Sequence, residues 1–170
     1  PAGGLPPVGG LGTRMLLRIP QLYNTGILSG QGSKVGEVEF TWMDLLTEEL
    51  IGIKSITVTR SYTQRRLGSR FGGTTLIPFS SEPSGIVSSS GAVITEGNAY
   101  EIKEYNVEGR LVHAYRVDAP RHAVSPDLVN SEIDRRMERS PRLDRGFLEA
   151  LYAEMPIPDS LPVFESLRLD

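Results

Sequence analysis

Between Asn98 and Asp118 the chain alternates apolar and polar positions on both sides of a Glu108-Gly109 turn. Tyr100 and Ile102, then Tyr105 and Val107, are the apolar positions before the turn; Leu111, His113, Tyr115 and Val117 alternate with Arg110, Val112, Ala114 and Arg116 after it. A period of two broken by a glycine turn predicts a β-hairpin. A lone hairpin cannot bury its own apolar face, so this one is expected to be a unit of a larger sheet.

Similar runs occur upstream. Thr13–Ile19 reads as a short strand closed by Pro20, and Lys34–Trp42 as another, with Val35, Glu37, Glu39 and Thr41 opposite Gly36, Val38, Phe40 and Trp42. Residues 26–32 read as loop and Met43–Leu50 as a helical turn, followed by the β-branched strand Ile53–Arg60. Pro78 demotes Thr74–Phe79 to an edge or bulged strand, and residues 86–95 give two short runs around Ser90-Gly91. Turn signals spaced at roughly 8 to 12 residues from Gly52 to Asp118 are the pattern of a sandwich, barrel or propeller.

After Asp118 the period changes to that of a helix. Ser125-Pro126-Asp127 is a helix start, with a serine N-cap, proline in the first turn and an acid against the positive end of the dipole. Val129, Ile133 and Met137 follow at i, i+4 spacing. Ser140-Pro141 repeats the device for a second helix with the stripe Phe147, Leu148, Leu151 and Met155, and the Pro156 and Pro158 that follow stop it. Leu161–Leu169 returns to an extended, strand-like pattern.

Composition narrows the class. With 39% hydrophobic and 23% charged residues the chain reads as globular rather than disordered, and a net charge of −3 argues against a general nucleic-acid binder. Its 18 glycines and 12 prolines gather in the first 36 residues and around 68–91, which predicts irregular backbone in the first quarter. The Gly/Pro-rich start, including Leu5, Pro6 and Pro7, is read as an arm lying on a partner surface. With no cysteine there is no thiolate nucleophile or thiolate metal site.

Residue chemistry offers no reaction. His113 and His122 are the only histidines and do not stand at metal-ligand spacing. The serine-rich run 80–90 lacks G-x-S-x-G. The run 26–36, GILSGQGSKVG, fails as a phosphate loop because its lysine is misplaced and a strand follows. Glu101 and Glu104 differ in strand parity and cannot form a local acid–base pair. No catalytic, cofactor-binding or metal-binding residue is assigned. Arg60, Arg65, Arg66 and Arg70, with Tyr62 among them, form a basic patch with no acid, read as a protein interface that could also meet anionic lipid or RNA. The arginines and acids of the helical segment read as a solvated, ion-paired face.

FGGTTLIPFS, then NAYEIKEYNVEGRLVHAYRVD, then EMPIPDSLPVFESLRLD stand in an order that resembles the exported bacterial six-bladed β-propellers related to the NHL-repeat type. The resemblance covers residues 71–170 and implies blades of antiparallel strands with a helical insertion. A blade needs about 40 to 45 residues, so the chain suffices for about three. It is either a fragment of a longer propeller or a reduced form completed by partners.

The expected fold is therefore mainly β: an incomplete β-propeller-like set of antiparallel blades with a short two-helix insertion near the C-terminus. Its divisions are an extended N-terminal arm over 1–36, antiparallel β over 37–118, the helical insertion over 119–160 and the start of a further strand over 161–170. The expected function is that of a non-catalytic structural subunit, binding other protein chains and peripheral to a membrane on the periplasmic side of a bacterial envelope. A brace for a photosynthetic reaction centre and its antenna ring is one assembly compatible with it. Neither nucleic acid nor a small-molecule substrate is expected. The alternative is a ligand-binding or enzymatic piece of a longer propeller.

Overall fold

A computed structural model describes residues 7–21, 32–64, 73–141, 144–164 and 167. These form a mainly β protein with two antiparallel sheets and two helices near the C-terminus. The first sheet is a five-stranded meander of β1 (Pro7–Leu11), β2 (Arg14–Gln21), β3 (Gly32–Asp44), β4 (Leu50–Gln64) and β5 (Gly73–Leu76). The second is a four-stranded meander of β6 (Ser84–Val87), β7 (Ala92–Thr95), β8 (Glu101–Tyr105) and β9 (Leu111–Arg116). Helices α1 (Pro126–Arg139) and α2 (Arg145–Glu154) follow.

The alternation expected of 34–42 is realised in β3. Val38, Phe40 and Trp42 bury one parity against Leu16 of β2, Ile56 of β4, Ala92 and Ile94 of β7, and Tyr105 of β8. One core thus lies between the two sheets. The Trp42 indole N–H donates to the Asn106 carbonyl at 3.2 Å, and the Arg14 guanidinium donates to the Val107 carbonyl. Both bonds tie the β8–β9 turn to the first sheet. Gly85 permits close packing, since a Cβ there would stand 2.7 Å from the Phe40 ring.

The second core joins the helices to the far end of the first sheet. Ile133 of α1 and Leu148, Leu151 and Tyr152 of α2, with Met155 beyond it, close over Tyr62 of β4 and Ile77. Arg136 fastens this junction. It donates to the Thr75 hydroxyl at 2.8 Å, the Leu76 carbonyl at 3.1 Å and Glu132 at 3.1 Å, and its guanidinium lies 5.3 Å above the Tyr152 ring.

Burial pushes the Tyr152 hydroxyl up to about 12, and Glu132 adds to the shift against the opposing pull of Arg136. That hydroxyl makes no hydrogen bond of ordinary geometry, although Glu132 is near enough to raise its pKa. Removing a buried, unsatisfied group is close to neutral or stabilising. Tyr152→Phe is therefore expected to leave the urea midpoint at pH 7 unchanged or raise stability by up to about 1 kcal/mol. The unfolded chain loses this proton near pH 10 and the folded one near 12, so the folded form binds more protons between them. Tyr152 thus lowers stability as pH rises from 10 to 12, and Tyr152→Phe should show a shallower loss than the parent in urea melts over that range. An equally steep loss would contradict this.

Several expectations need correction. The first quarter is not an irregular arm over its described part: Pro7–Leu11 is β1, paired antiparallel with β2. Backbone hydrogen bonding along a strand does not require large side chains, so a Gly-rich segment can serve at a sheet edge. Met43 and Asp44 end β3 and Leu50 begins β4, with one helix-like turn between, where the Glu48 N–H donates to the Asp44 carbonyl at 2.8 Å. The Asp44 carboxylate accepts from the N–H groups of Leu46 and Thr47, which, with Leu46 first, hold its pKa below the usual range. Ser140 caps the end of α1, and Asp144 is the N-cap of α2, accepting from the Phe147 N–H at 2.9 Å. Residues 161–164 form no strand; the Leu161 N–H donates to the His122 carbonyl and the Val163 N–H to that of Gly97.

Candidate interaction surface

β9 closes the second sheet on one side, and its hairpin is held at both ends. At the turn, the Asn106 side-chain oxygen accepts from the N–H groups of Glu108 at 3.2 Å and Arg110 at 2.9 Å. Gly109 has φ +75°, and a Cβ there would lie 2.7 Å from the Gly52 carbonyl, so the turn is seated against β4. At the other end the Val117 N–H donates to the Tyr100 carbonyl at 2.9 Å. The pairing Glu104↔His113 followed by Tyr105↔Leu111 leaves Val112 as the extra residue of a β-bulge.

Charged groups brace β8 beneath it. Lys103 lies 2.8 Å from Glu101 and 3.4 Å from Glu96, and Lys54 of the first sheet reaches Glu96 at 3.8 Å. The Lys103 hydrogen bond, with Lys103, Arg116 and Lys54 as positive neighbours, holds the Glu101 carboxyl below its ordinary value; the Glu101 bond raises Lys103. Glu104 accepts from the Ser90 hydroxyl on one oxygen and stands 3.2 Å from His113 Nδ1 on the other, which together lower its pKa. The carboxylate is the middle member of this chain. A hydrolytic relay needs imidazole between serine and acid, so these three residues do not assemble one.

The whole of β9 is exposed, on both faces. Leu111, Val112, Tyr115 and Val117 are each 50 to 64% exposed. Among the described residues no strand pairs with its outer edge. The other sheet edges are covered differently. β5 is closed by Arg136 of α1, while β1 lies against β6, where a Cβ on Gly9 would meet the Val87 side chain at 2.9 Å. Antiparallel backbones turn alternate residues to alternate sides. Since the Val117 N–H points to β8, Ala114 and Arg116 point their N–H and C=O groups outward, to the open side.

Of the residues singled out from sequence, the three that are described, Pro7, Arg60 and Tyr62, do not lie on β9. Tyr62 is only 5% exposed, packed in the second core with its hydroxyl 3.4 Å from Glu154, so it is not an interface residue. Arg60 lies in β4, and Pro7 is exposed at the start of β1. Leu5, Pro6, Arg65, Arg66 and Arg70 lie outside the described residues. His113 is more than half exposed, beside Tyr115 at a ring separation of 5.9 Å. The signal for β9 was present in the sequence as Val112 and Ala114 on one parity and Leu111, Tyr115 and Val117 on the other.

Among the described residues no three His, Asp or Glu side chains are grouped to hold a metal ion, and no helix is long and apolar enough to cross a membrane. A cavity of about 240 Å³ between β2 and β6 is lined by Arg18, Glu82, Pro83, Ser84 and Gly85. Its two charges are engaged with each other at 2.6 Å. No family model, curated protein or solved structure matches the chain.

Proposed function

We propose that this protein is a non-catalytic interaction subunit that takes up a strand of another polypeptide along the outer edge of β9. The observation that carries this reading is the bare β9 edge, apolar on both faces and held by the Asn106 turn and the Val117 bond. An added strand would satisfy the outward backbone groups of Ala114 and Arg116 and cover Leu111, Val112, Tyr115 and Val117. Propeller blades are four-stranded antiparallel sheets, and we take the four-stranded meander β6–β9 as one; the sequence resemblance to exported propellers supports the setting proposed for the partner, the outer side of a bacterial membrane.

Amide hydrogen exchange on the full chain at high dilution tests the edge. The Ala114 and Arg116 amides should exchange quickly while those of His113 and Tyr115, turned toward β8, are slowed. Slow exchange at all four positions in the dilute chain would mean that the edge is already occupied by the chain itself, and would overturn the reading.

A further inference from the structure

No further inference is drawn: the strongest candidate, the apolar tip of the β3–β4 hairpin, where Leu45, Leu46 and Leu50 stand 54 to 79% exposed, is an unpartnered apolar patch, and nothing in the structure shows what covers it.

Discussion

Replacing Trp42 by alanine is expected to cost about 3–5 kcal/mol, a large part of the roughly 5–15 kcal/mol that holds a domain of this kind together. The indole is wholly buried in the core shared by the two sheets, opposite Leu16 of β2, in a cluster that also holds Ile56 and Tyr105. Its loss removes apolar contact on both sides and leaves a cavity that neighbouring β-branched side chains cannot readily fill. It also leaves the Asn106 carbonyl without its 3.2 Å donor, at the turn that positions β9. Trp42→Phe should keep most of the packing and lose the hydrogen bond, at about 1–2 kcal/mol. Urea melts followed by circular dichroism measure both variants, and the single tryptophan of the parent reports the same transition by fluorescence. A cost below 1 kcal/mol for Trp42→Ala would mean that the sheets are not joined through this residue.

The second large effect is expected from the smallest possible change. Gly91→Ala places a Cβ 1.9 Å from the Tyr105 carbonyl oxygen and 2.9 Å from its carbon. Both atoms are backbone, so no side-chain rotation relieves the clash. β7 and β8 are paired at this point, Ala92 opposite Tyr105, and must separate locally or carry the strain. A cost of about 3 kcal/mol is expected, at the upper end for overpacking. Gly12→Ala provides the contrast. Gly12 has φ +61° but nothing within 4 Å of a Cβ, so its penalty is conformational alone, on the order of 1 kcal/mol. Comparing the two melts separates steric exclusion from backbone preference. Equal costs would show that the close approach of Gly91 to Tyr105 does not exist in solution.

The strands were legible where one face is buried and the other wet. Val38 and Phe40 alternate with Glu37 and Glu39, and β3 buries the first set. The Ser125-Pro126 start was legible because capping is local: the Ser125 hydroxyl accepts from the Leu128 N–H at 3.3 Å. Ser140-Pro141 carries the same letters, yet the Ser140 N–H closes the preceding helix by donating to the Arg136 carbonyl. A cap residue states that a helix end is near, and the neighbouring segments decide which end.

Tyr62 and β9 show where local reading stops. Tyr62 stands beside arginines in sequence, and α2 folds back from some 90 residues away to bury it. Nothing within a few residues encodes that contact. The β8–β9 alternation looked like a buried face, but the second sheet ends at β9 and leaves it outside. Hydrophobic period, turn residues and caps act over one or two turns of chain, so the sequence by itself determined the strands from β2 onward, the β8–β9 hairpin and the first helix of this protein, but not β1. Which sheet a strand joins, which strand stands last and what covers an apolar side chain depend on contacts between distant segments, and only the tertiary structure decided those. The open β9 edge, and with it the candidate function, belongs to that second group.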